Sequence, residues 1–132
     1  MVIFSPQQFA NSCGLACMSY ILWKSEYDIL HENPDMLSIQ KLNFIWLYCS
    51  EMVELLGRYE KSYVWSEYGE ESSSYLEEEG TIIYIEQIDH YLVRLPWWWW
   101  DSYRNLKWIP EFWYWKDLPY APGYIIYNKH SI

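Results

Sequence analysis

Gln7-Gln8-Phe9-Ala10-Asn11-Ser12-Cys13-Gly14-Leu15-Ala16-Cys17-Met18 is the stretch on which the reading of this chain turns. From Leu15 to Trp23 the residues form a mostly apolar run, long enough for a helix of about three turns. Ser12 stands where an N-cap belongs, so Cys13 falls in the first helical turn. A thiol there meets the positive end of the helix dipole and unpaired backbone N–H groups, and both favour thiolate over thiol. Gly14 leaves room beside the sulfur for a carbonyl to approach the backbone. Gln7 precedes Cys13 by six residues. Its side-chain amide can turn back toward the sulfur and, with the Cys13 N–H, form an oxyanion hole. Gln8 reads as surface polar. Cys17, one turn further on, reads as a small buried apolar residue.

Gln7-x5-Cys13-Gly14-Leu15-Ala16-Cys17 resembles the cysteine motif of the C39 peptidases, the papain-like proteases that trim bacteriocin leader peptides. The Gln-x5-Cys spacing is shared across papain-like enzymes. The Cys-Gly-Leu-Ala-Cys string points to the C39-like branch. The resemblance implies a thiolate nucleophile, an acyl-enzyme intermediate and no metal or organic cofactor. It covers the first twenty-odd residues and about 76–101.

Such a thiolate needs an imidazole within reach to take and return the proton. Of three histidines, His90 opens an apolar string, His90-Tyr91-Leu92-Val93, that follows Thr81–Ile88 and a short turn. This arrangement resembles the family's strand, turn and His-aromatic-Val-Val pattern. His31 and His130 read as surface residues. The resemblance also implies a third residue that orients the imidazole. The family's Asp lies further beyond the His than Asp101 does here. Asp101, eleven residues on, is preferred because a short hairpin across Pro96 returns it beside His90; Asn105, fifteen on, is the alternative. Asp89 adjoins His90 and points to the opposite face of a strand.

Length and composition bound the rest. The 132 residues suit one domain spanning 1–132, and a hydrophobic content of 52% excludes a disordered chain. No apolar run approaches the ~18 residues of a membrane span, so no integral membrane segment is expected. The N-terminus lacks a basic start and a long apolar core, so it does not read as a signal peptide. Three cysteines without framework spacing fit a reducing compartment, and a cytoplasmic location is expected. No Cys/His cluster has zinc spacing. A net charge of −9 argues against nucleic acid, which needs a basic patch. The acidic run Glu67, Glu70, Glu71 and Glu77-Glu78-Glu79 reads as a solvated face, or as one that favours a basic partner.

Aromatic residues make up 21% of the chain, with ten Trp, and Trp97-Trp98-Trp99-Trp100, Trp108, Trp113 and Trp115 crowd the last third. In a strand such a run covers both faces. Half the indoles are then expected in the core and half on an aromatic surface suited to binding or self-association.

The chain reads as a helix over 13–24 and a mixed segment over 25–37 with a turn at Asn33-Pro34-Asp35. A longer helical pattern from Leu37 to Gly57 follows, capped by Ser38 and breaking near Leu42-Asn43 if it breaks. Its stripe is Leu42, Ile45, Trp46, Cys49, Met52, Val53 and Leu56. Strands follow at 61–68, 81–86, 90–95, 97–100 and 123–127, with 101–122 loop-like and a helical turn at 75–79. Helices first and an antiparallel sheet after them make an α+β domain, the order of the papain-like fold. The expected function is a cysteine peptidase acting on a peptide or protein substrate. The alternatives are a non-catalytic peptide- or protein-binding module with a Trp-rich surface, and a deamidase or other acyl-transfer effector.

Overall fold

The computed structural model describes residues 11–96, 99–100, 114–115, 118 and 121–130, with only the backbone of 114–115. Four helices come first: α1 (Cys13–Leu22), α2 (Glu26–Glu32), α3 (Ile39–Phe44) and α4 (Cys49–Arg58). Six strands follow: β1 (Tyr63–Glu67), β2 (Ile82–Ile85), β3 (His90–Arg94), β4 (Trp99–Trp100), β5 (Tyr114–Trp115) and β6 (Tyr124–Asn128). They form one antiparallel sheet in the order β1-β6-β2-β3-β4-β5. The last strand is thus inserted between β1 and β2. The α+β reading holds.

Strand side chains alternate between faces, and here the alternation divides two cores. Tyr63, Ile82, Tyr91, Val93, Trp100 and Ile126 pack under the helices, against Leu15, Met18, Met52 and Leu56. Ile83, Ile85, Leu92, Trp99 and Ile125 form the second core on the other face, with Tyr75 and Leu76 packed on it. Those two come from the 3₁₀ turn at Ser73–Glu77, close to the helical turn expected at 75–79. Trp99 and Trp100 are each 2% exposed, one in each core, as a strand with indoles on both faces requires. Trp97, Trp98, Trp108 and Trp113 lie outside the described residues.

Three helical expectations need correction. The segment 25–37 contains α2, whose Ser25 hydroxyl accepts the Asp28 N–H at 3.0 Å. Ser25 followed by Glu26 and Asp28 is a legible start signal, a cap with acidic residues in the first turn. The pattern over 37–57 is two helices, broken not at Leu42-Asn43 but at Trp46-Leu47-Tyr48, where Tyr48 has extended geometry. Ser38 does cap α3, accepting the Lys41 N–H at 3.0 Å. Gly57 does not stop α4, which runs to Arg58. The break rotates the stripe, so Ile45 is 51% exposed while Leu47 and Leu55 are buried. The α4 start is held by Glu51, whose carboxylate accepts the Tyr48 N–H at 3.0 Å and pairs with Lys41 of α3. In the stretch read as loop, β5 pairs with β4.

Candidate functional site

Cys13 is the first residue of α1 and is 1% exposed. Ser12 occupies the N-cap position, but its hydroxyl makes no capping bond, and its φ of −100° and ψ of 21° lie outside the extended geometry usual there. The approach to Cys13 is fixed by other bonds. The Asn11 N–H donates to the Leu42 carbonyl at 2.7 Å and its side-chain amide to the Asn43 carbonyl at 3.0 Å. Those two bonds tie the start of α1 to the end of α3. Gly14 is needed for close packing: a Cβ there would lie 2.9 Å from Met52 Sδ and 3.4 Å from Tyr91 Cδ2. The helix therefore lies flat on β3 through Tyr91.

His90 opens β3 and pairs with Ile85 of β2. Cross-strand partners share a face, and Ile85 with Leu92 belongs to the core away from the helices. Tyr91, paired with Tyr84, takes the helix face instead. The register thus sets the His90 position on the sheet face shared with Ile85, while Cys13 lies on the helix side. Gln7, Asp101 and Asn105 lie outside the described residues. His31 and His130 are exposed, and Cys17 is fully buried, as expected. Asp89 is exposed at the turn before β3, with φ 50°.

Sequence reasoning missed Cys49. It is the first residue of α4, so Cys13 is not alone among the cysteines at a helix start. Its Sγ lies 3.6 Å from the Tyr91 hydroxyl, which donates to the Leu47 carbonyl at 2.9 Å. Burial pushes the Cys49 thiol above its ordinary value, and the Tyr91 hydroxyl opposes this only in part. Burial above all drives the Tyr91 phenol far up, with Cys49 adding to it, so Tyr91 is a permanent donor. Glu51 at the third helical position of α4 was the sequence signal that could have located this start.

Beside this pair lies a cavity of about 530 Å³. One wall is the α3–α4 linker and the first turn of α4: Trp46, Leu47, Tyr48, Cys49 and Ser50. The other is the end of the sheet: Trp65, Tyr84, Tyr91 and Tyr124, with Asp89 at the β2–β3 turn. Asp89 accepts a hydrogen bond from the Tyr84 hydroxyl. Burial and the Asp89 carboxylate hold the Tyr84 phenol well above its usual range. Comparison with protein families, curated proteins and solved structures finds nothing that matches this chain. Among the described residues no group of His, Cys, Asp or Glu is arranged to hold a metal, and no helix is long and apolar enough to cross a membrane.

Proposed function

We propose that this domain works as a binding module whose ligand enters the cavity between the α3–α4 linker and the sheet. The observation that carries this is the cavity itself. Its volume falls within the roughly 300–1,000 Å³ of small-ligand sites, and six of the ten described residues that line it are aromatic. This is a different surface from the one expected in the Trp-rich last third, since the tryptophans lining the cavity are Trp46 and Trp65. The test is nuclear magnetic resonance of the indole N–H signals during a screen of small ligands and short peptides. Shifts confined to Trp46 and Trp65, lost in Trp65→Ala and kept in Cys13→Ala, support the reading. An absence of any shift in the screen overturns it.

A second reading, the C39-like cysteine peptidase or a deamidase on a papain-like fold, is favoured by one observation: Cys13 begins a helix packed on the strand that His90 begins. It requires the His90 ring to reach past the end of β3 to the helix side. In that reading His90 takes the Cys13 thiol proton as the sulfur attacks the acyl carbon and passes it to the leaving amine; water, giving a proton to His90, then displaces the sulfur, which regains that proton as the acid is released. Gln7 holds the oxyanion and Asp101 orients His90. Hydrolysis of a peptide library that disappears in both Cys13→Ala and His90→Ala would establish it in place of the first. Retained hydrolysis in either variant removes the pair.

A further inference from the structure

We propose that the cavity is built for an organic cation, an alkylammonium or guanidinium group carried on aliphatic carbon. The inference rests on the binding reading above and gives it a ligand class. Its first support is the row of rings on the sheet wall, Trp65 of β1, Tyr124 of β6, Tyr84 of β2 and Tyr91 of β3. Successive centroids are 6.0, 6.2 and 5.1 Å apart, with interplanar angles of 59°, 44° and 53°. The register produces the row, since Tyr84 pairs with both Tyr124 and Tyr91. Aromatic rings attract a cation to their negative faces and offer an anion nothing there.

Charge is the second support. Among the described residues, Asp89 is the sole formally charged one lining the cavity, and no Lys, Arg or His lines it. The net charge of −9 extends the same sign over the whole chain and favours the approach of a cation. The third support concerns the chain's own cations. Among the described residues, cation–ring contacts fall on Tyr59, under Lys24, and on Trp99, under Arg94. Neither ring belongs to the row. A neutral ligand without a hydrogen-bond donor would use the rings and gain nothing from Asp89, whereas a cation uses both.

Calorimetric titration of the intact chain tests this with choline against its neutral isostere 3,3-dimethylbutan-1-ol. Short capped peptides with one central trimethyllysine, arginine or norleucine make the second arm. Cationic probes are expected to bind roughly tenfold or more tightly than their neutral counterparts. Asp89→Asn should remove most of that preference, and Asn tolerates the left-handed backbone at this position, so the melting temperature should hold. Trp65→Ala, at a half-exposed ring, should weaken the cations several-fold. Peptides that bind much better than choline would mark the cation as a side chain, and equal binding would mark it as a free small molecule. Equal affinity for cation and isostere overturns the cation while leaving a binding cavity. No heat from any probe with a chain that melts normally overturns both.

Discussion

Replacing Tyr91 by Phe removes one oxygen from the most constrained point of the cavity. Tyr91 is 4% exposed, and its hydroxyl donates to the Leu47 carbonyl at 2.9 Å. That bond pins the linker between α3 and α4 to the sheet. Leu47 is 1% exposed, so its carbonyl has little access to water once the hydroxyl is gone. Leaving a buried acceptor without its donor costs about 1–3 kcal/mol, and relief from burying the hydroxyl offsets part of it. The ring stays, so no cavity term is added. A net loss of about 1–2 kcal/mol follows. At about 4 °C per kcal/mol for a chain of this size, the melting temperature should fall by roughly 4–8 °C. Urea titration should show a lower midpoint with an unchanged slope, since the same surface is exposed on unfolding. The Cys49 thiol also loses the hydroxyl that lowers it and should react more slowly with iodoacetamide. A melting temperature within about 1 °C of the parent would refute the claim that this bond holds the linker.

Mass mapping of iodoacetamide adducts on the folded chain should find Cys49 labelled first, because it lines the cavity while Cys13 and Cys17 are 1% and 0% exposed. Its labelling should accelerate as pH rises, given a thiol raised by burial; Cys13 labelled first near neutral pH would return weight to the peptidase reading. Gly14→Ala gains about 1 kcal/mol of helix propensity but drives a methyl to 2.9 Å from Met52 Sδ, an overpacking cost of about 1–3 kcal/mol. Denaturation should show a net loss of up to about 2 kcal/mol that vanishes on a Met52→Ala background, and equal losses in both backgrounds would place the cost elsewhere. Burial, with the charge of Glu79, pushes the Tyr63 phenol up to about 12, and Tyr91 lies higher still. A proton held more tightly in the folded state stabilises fully below the unfolded value of about 10 and progressively less above it. Urea midpoints should therefore fall between pH 10 and 12; a flat profile would contradict the burial of these phenols.

The sequence alone settled what depends on neighbours along the chain. Runs of β-branched and aromatic residues located β1, β2, β3 and β6 to within two residues at each end, because such side chains suit an extended backbone whatever it pairs with. Ser38 declared a cap and Cys17 its burial for equally local reasons. The helical stripe from Leu42 to Leu56 was legible too, yet a period of 3.6 continues across a short extended break, so it concealed the turn at Trp46-Leu47-Tyr48 and the helix start at Cys49. What only the tertiary structure decided is which face each strand residue takes. The His90 position shares the far face with its partner Ile85, and Tyr91, paired with Tyr84, meets α1 on the other. A strand pattern fixes alternation but not its phase relative to the helices; that phase is set by pairing between residues distant in sequence. The insertion of β6 between β1 and β2 is non-local in the same way, and it puts Trp65 and Tyr124 in line with the Tyr84–Tyr91 pair of the β2–β3 hairpin.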